Sequence, residues 1–253
     1  MVTLKSIADE ISPILSNLKM RGLKIKKVTP EERKKMEKKA EAEALKEFYA
    51  GEKVRMITNS LISDFEDLKS NFDDFKVTNS SQEKELACAR KIANEIYSGS
   101  TSNYVFTGKA GTGKTMLAVC ILNGINKITT KTTCLFISIA MLMDLELATI
   151  GNFDQFTKDK AYRYEQLIKK SDLLVLDDLG SESVLVNNSE ASNFTQKVLF
   201  RLADYRKNKP NIITTNNTSV QLRKMYNEKI VSRLLAKNSD NIVIFDGEDR
   251  RLA

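Results

Sequence analysis

Gly108-Lys109-Ala110-Gly111-Thr112-Gly113-Lys114-Thr115 is a complete loop of the form GxxxxGK[ST]. Glycines at these positions let the backbone turn its N–H groups inward around phosphate oxygens. A helix opening at Met116 adds the partial positive charge of its N-terminus at the same spot. Lys114 has the reach for the β- and γ-phosphates of a nucleotide, and the Thr115 hydroxyl can ligate magnesium. The spacing predicts a nucleotide site lined by Gly108 to Thr115 with Met116 behind them. The alternative is a glycine-rich turn with no ligand.

A second set of residues fits the same chemistry. Leu173-Leu174-Val175-Leu176-Asp177-Asp178 is an apolar run ending in two carboxylates. Such a strand places Asp177 beside the magnesium. Asp178 then stands where many ATPases carry a Glu that orients the attacking water, and its shorter side chain predicts slow turnover. Glu182 is a candidate substitute base. Ile212-Ile213-Thr214-Thr215 ends in Asn216-Asn217. An amide there faces the γ-phosphate from a neighbouring strand, with Asn216 the better candidate, or else it only forms a turn. Arg233, in the amphipathic stretch Glu228 to Leu235, is either a finger toward a neighbouring subunit's γ-phosphate or an ordinary surface arginine. Arg250 and Arg251 follow the last apolar run and are placed to contact phosphate within the same subunit.

These residues need a scaffold of buried strands, and the sequence supplies five short apolar runs. They are Tyr104 to Thr107, Thr133 to Ile139, Asp172 to Asp177, Ile212 to Thr215 and Ile242 to Phe245. Runs of this kind suit strands buried on both faces of a parallel sheet, and helical segments separate them. The expected fold is a three-layer α/β domain. Ser80-Ser81-Gln82-Glu83 reads as a capping box for a helix through Tyr97, stopped by Gly99. The first 70 residues read differently. Ile7, Ile11, Ile14, Leu15 and Leu18 share one helical face. Thr29-Pro30-Glu31-Glu32 starts a second helix running to about Ala50, with Gly51 as its stop. A third helix is expected over Leu61 to Leu68. The expected organisation is a small helical partner-binding region over 1–70, or else a solvated helical tail there, and an ATPase domain over 71–253. The chain ends at Ala253, which leaves no room for the helical lid usual in such ATPases.

Composition narrows the classes. Forty Lys and Arg against 33 Asp and Glu give a net charge of +7, which suits an anionic partner such as nucleic acid. The chain has no His, which excludes His-based acid–base chemistry and disfavours zinc. Cys88, Cys120 and Cys134 are scattered among apolar residues and are expected to pack in a reducing compartment. There is no apolar run long enough to span a membrane and no signal-peptide core, so a cytoplasmic protein is expected.

Together, these segments resemble the AAA+ replicative-helicase loaders of the DnaC/DnaI kind. The resemblance covers about Asn71 to Ala253. It rests on Phe72-Asp73-Asp74-Phe75-Lys76-Val77, Gly108 to Thr115, Leu176-Asp177-Asp178-Leu179-Gly180, Ile213-Thr214-Thr215-Asn216, Ser232-Arg233 and Gly247-Glu248-Asp249-Arg250-Arg251. Transposition ATPases of the IstB kind share most of this set. The resemblance implies ATP and Mg2+ held between subunits of an oligomer by Gly108 to Met116, with Thr115 and Asp177 on the metal. It implies Lys114, Asp177, Asp178, Asn216 and Arg233 as the catalytic set and weak hydrolysis. Arg233 matches the in-trans finger, Asn216 the first sensor, and Arg251 (or Arg250) the second. The implied partners are a hexameric DnaB-type helicase, gripped by the N-terminal region, and single-stranded DNA, bound by the core. ATP state would govern release of the helicase. The stretch from Asn152 to Lys170, with Phe153, Phe156, Tyr162 and Tyr164 among basic residues, corresponds to an insertion near the DNA; those aromatics equally suit the core side of a helix. The chain lacks the Cys and His of the zinc-bearing DnaI N-terminal domain. Competing readings are an IstB-like transposition regulator, which binds duplex DNA, and a small-molecule kinase on a phosphate-loop scaffold.

Overall fold

A computed structural model describes residues 29–129, 132–151, 154–183 and 191–250. The helix expected over Ile7 to Leu18 lies outside the described residues, as does Arg251. The chain divides into two compact units, 1–47 and 48–253. Helix α1, Pro30–Thr58, begins at the expected capping box: Thr29 Oγ1 accepts from Glu32 N, and Glu32 Oε2 accepts from Thr29 N. It runs through Gly51 rather than stopping there. One interior glycine costs only about 1 kcal/mol against alanine, and good helix formers flank it on both sides.

The larger unit is a parallel sheet between helices. Its strands are β1 (Asn103–Gly108), β2 (Cys134–Ser138), β3 (Leu173–Asp177), β4 (Asn211–Thr215) and β5 (Ile242–Phe245), in the order β2-β3-β4-β1-β5. All pairings are parallel. Residues along each strand alternate between two cores, as the period of two requires. Val105, Leu135, Leu174, Leu176 and Ile213 face one side, with α4 (Ile139–Leu147), α5 (Gln155–Lys170), α6 (Asn193–Tyr205), α7 (Ser219–Met225) and α8 (Glu228–Leu234). Tyr104, Phe106, Phe136, Val175 and Ile212 face the other, with α2 (Ser80–Tyr97) and α3 (Lys114–Ile128). Cys120 and Cys134 are buried, and burial pushes the Cys120 thiol up to about 12; Cys88, expected to pack, is exposed. The cap of α2 is Asn79, one residue before the expected serine, because its side chain accepts from Gln82 N.

The segment before α2 belongs to this unit. Instead of a third helix, Ser60 and Leu61 run alongside the outer edge of β2. Leu61 N donates to Phe136 O at 2.9 Å, Ser138 N to Leu61 O at 2.8 Å, and Phe136 N to Ser60 Oγ at 3.0 Å. A 3-10 turn over 65–69 follows, with Leu68 buried. The edge strand's open hydrogen bonds outcompete helix formation here.

One buried side chain ties the amino end of the sheet together. Arg206 is 2% exposed. Its Nε donates to Asn211 Oδ1, and its two Nη atoms donate to the carbonyls of Ile168, Ser171, Asp172 and Pro210. Burial lowers its pKa to about 10, within the range where it stays charged. Arg206→Ala is expected to strand these acceptors and cost on the order of 3 kcal/mol, lowering Tm by about 6–12 °C. A thermal melt shifted by less than about 2 °C would show that water replaces the guanidinium.

Candidate nucleotide-binding site

The site forms where β1, β3 and β4 end. β1 leads into the glycine loop, and α3 starts at Lys114 with Gly113 as its N-cap, in the left-handed region at φ 101°. A Cβ at Gly113 would lie 2.9 Å from the Phe75 ring, and one at Gly111 (φ 75°) would collide with the Asp249 carboxylate. These two positions therefore require glycine for both backbone and space.

Lys114 is 6% exposed, and its ammonium donates to Gly108 O (2.9 Å), Lys109 O (2.5 Å) and Asn216 Oδ1 (2.8 Å). Asn216 also donates through Nδ2 to Asp178 Oδ1 at 3.1 Å. One amide thus joins the phosphate-loop lysine to the second carboxylate. Beside it, Asp177 Oδ1 accepts from Thr115 Oγ1 and from Thr214 Oγ1, each at 2.7 Å. Asp178 takes φ 60°, and its N–H donates to Thr214 Oγ1. That turn aims the two consecutive carboxylates at different neighbours.

Burial, aided by the Asp178 charge, raises the pKa of Asp177; Thr214, Thr115 and Lys114 oppose the rise. Burial also raises that of Glu182, which is engaged at both oxygens. Tyr226 donates to Oε1, and Gly180 N donates to Oε2. Glu182 therefore braces the loop after β3.

A wall closes the other flank of the loop. Arg250 N donates to Gly111 O at 2.9 Å, its guanidinium lies 3.8 Å over the Phe75 ring, and Nη2 donates to Lys76 O. Nη1 is buried with no hydrogen-bond partner. Phe75 sits in the stretch that carried the sequence resemblance. Thr214 was not anticipated; its signal is a hydroxyl inside an apolar strand, beside the strand that ends in Asp177.

The structure therefore brings together Lys114, Thr115, Asp177, Asp178, Asn216 and Arg250. It does not bring Arg233 to them. The carbonyl of Arg233 accepts from Asn103 Nδ2 at the amino end of β1, whereas the glycine loop leaves its carboxyl end. Five residue steps of strand separate the two by about 17 Å.

The donor set fits a triphosphate with magnesium. Turned-in amides, a helix start and an ammonium face the phosphates, and Thr115 with Asp177 offers two oxygens to a hard cation. Among the described residues no group of three or more His, Cys, Asp or Glu side chains could cage a metal alone.

Comparison with known proteins agrees with this geometry. The family model described as IstB-like ATP binding protein matches residues 38–242. The uncharacterized protein YdaV of Escherichia coli K12 is 29% identical over 185 residues, 72% of this chain and 68% of its own length. The replicative helicase loader DnaC of the same strain is 26% identical over 174 residues, 67% of this chain and 64% of its own length. The chain thus spans just under two thirds of that loader. Among solved structures, DnaI superposes with a TM-score of 0.57 at 23% identity, covering 76% of this chain and 96% of its own, which shows the shared fold.

Asp177→Asn keeps an acceptor for both threonines and removes a charge that burial disfavours. A raised folded-state pKa destabilises the ionised form, so the variant is expected to melt above wild type at pH 7. The gap should close as pH falls through the raised pKa toward the ordinary 3.8. Magnesium-dependent nucleotide turnover should be lost at the same time. A variant that melts lower at pH 7 would contradict the assignment of burial as the dominant cause.

Proposed function

The chain belongs to the family of IstB-like ATP-binding proteins, and from that premise we propose that it is an ATP-switched loader of a replicative hexameric helicase onto single-stranded DNA. The observation that carries the reading is the Lys114–Asn216–Asp178 relay. An amide on the middle strand touches both the phosphate-binding cation and the carboxylate beside the metal position, so it is placed to sense the γ-phosphate. The match to DnaC supports the loader role. In this reading Thr115 and Asp177 hold Mg2+, and Gly108 to Met116 hold ATP. Asp178 orients water from one methylene too far back, so hydrolysis is slow. Arg250 and Arg251 complete the phosphate contacts. Arg233 serves a neighbouring copy of the chain in an oligomer, a role that its distance from its own phosphate loop supports. The part of residues 1–70 ahead of Ser60 contacts the helicase, and the ATPase domain, expected over 71–253, begins instead at the Ser60–Leu61 edge of the sheet.

Helix α5 supports the single-stranded DNA contact. Asp154 caps it by accepting from Phe156 N and Thr157 N. Ile168 is buried and Tyr164 packs against the core, so part of its aromatic content is structural. Phe156 and Tyr162 instead stand 74% and 63% exposed, beside exposed Lys158 and Lys160. Aromatic faces among cations suit stacked bases and their phosphates. Phe153 lies outside the described residues.

The second reading is a transposition helper, favoured by the description of the family model itself. Among the described residues no helix is long and apolar enough to cross a membrane.

Light scattering of the full chain with a replicative helicase is expected to show an ATP-dependent complex, absent with Lys114→Ala. Retention of a transposase and not a helicase would favour the second reading. Phe156→Ala with Tyr162→Ala should weaken single-stranded DNA binding at least tenfold, from about 1–3 kcal/mol per stacked base, with Tm unchanged. Equal affinity would remove α5 from the DNA site.

A further inference from the structure

Helix α2 carries a carboxylate that nothing binds. Glu85 is 3% exposed, and neither of its oxygens has a hydrogen-bond partner among the described residues. A buried acid left so is rare and costly. One turn earlier on α2, Ser81 Oγ donates to Asp246 Oδ1 at 2.5 Å, just after β5. That bond lays this face of α2 against the segment that runs from Asp246 to Arg250. Burial raises the pKa of Glu85, aided by the Asp246 charge; Arg250 and the Ser81 hydroxyl oppose the rise. Burial lowers the pKa of Arg250, and Glu85 opposes that in turn. The two groups therefore feel each other's charge without bonding.

Arg250 is engaged elsewhere. Its guanidinium lies 3.8 Å over the Phe75 ring, and Nη2 donates to Lys76 O. Nη1 stands 3.2 Å from where a Cβ on Gly113 would lie, and it has no hydrogen-bond partner. In this seat the positive charge stands against the glycine loop, where it favours phosphate. An unmet donor on the arginine and two unmet acceptors on the acid are complementary, and arginine–carboxylate pairs form readily with two parallel bonds. Rotation about the side chain's single bonds carries the guanidinium from the ring toward the acid, while the Arg250 N–H stays on Gly111 O.

Resting on the reading that the glycine loop holds a nucleotide's phosphates, we infer that Glu85 is a second seat for the Arg250 guanidinium and tunes nucleotide affinity by competing with the loop for that charge. The seat on Phe75 puts the cation beside the loop; the seat on Glu85 withdraws it. Phosphate on the loop favours the first, so nucleotide binding draws the guanidinium off the acid. Glu85 is a positioning residue: it touches Arg250 and no part of the nucleotide.

The test is a double-mutant cycle on the full chain, read as the calorimetric Kd for ATP with magnesium. Glu85→Gln keeps the size of the side chain and removes the charge that draws Arg250. It is expected to tighten binding at least about twofold, the gain when the two seats are equally filled. Arg250→Ala should weaken binding, and adding Glu85→Gln to it should then change nothing, because the competition has lost its object. The Arg250 15Nε resonance should move on adding ATP to the wild type and scarcely move in Glu85→Gln, whose guanidinium already stands at the loop. The same gain in both backgrounds, no gain in the parent, or equal movement of the resonance in both chains would overturn the second seat. If the wild type binds ATP and Arg250→Ala binds it equally well, the inference falls and the nucleotide site stands. If the wild type takes up no ATP, both fall.

Discussion

The buried ammonium of Lys114 is the constraint around which the site is arranged. A charge so enclosed costs several kcal/mol unless its donors are matched. Two carbonyls of the glycine loop and the Asn216 amide match them here. The strand order makes the third partner available. Because β4 lies between β1 and β3, a side chain at its end reaches the lysine on one side and Asp178 on the other. The amide orientation follows from these neighbours, since the ammonium can only donate and the carboxylate only accept. A ligand that takes the ammonium must offer acceptors at least as good, and phosphate oxygens do.

The same economy extends outward. Thr214 serves both acidic residues, donating to Asp177 and accepting from the Asp178 backbone. Glu182 ties the loop after β3 to Tyr226, the residue that ends α7 and precedes Asn227, the cap of α8. The loop bearing Asp178 and the short helix bearing Arg233 are therefore braced through one tyrosine. At the opposite, amino end of the sheet, Arg206 and Lys209 satisfy helix and strand carbonyls.

Much of this was legible in the sequence because short apolar runs ending in polar residues have few interpretations. All five strands fall where those runs lie, and Lys114, Thr115, Asp177, Asp178 and Asn216 converge as their spacing suggests. What stayed hidden depends on contacts across the chain. Thr214 reads as an ordinary strand residue until Asp177 is placed beside it. Glu182 reads as a free base until Tyr226 reaches it. Leu61 and Leu68 read as a helical stripe, yet an open strand edge nearby decided their conformation. Local pattern likewise mistook Gly51 for a stop, since tolerance of a glycine depends on the strength of the helix on both sides.

That strand edge bears on how such proteins exchange parts. Ser60 and Leu61 seal the flank of β2 from a position that sequence pattern alone assigns to the front module. The sheet's outer edge is therefore finished by residues that precede α2 in the chain. Recombination that trades one front module for another would have to break the chain upstream of Ser60. A crossover made later would leave a raw hydrophobic border, ready to pair with the next copy in a crowded cell.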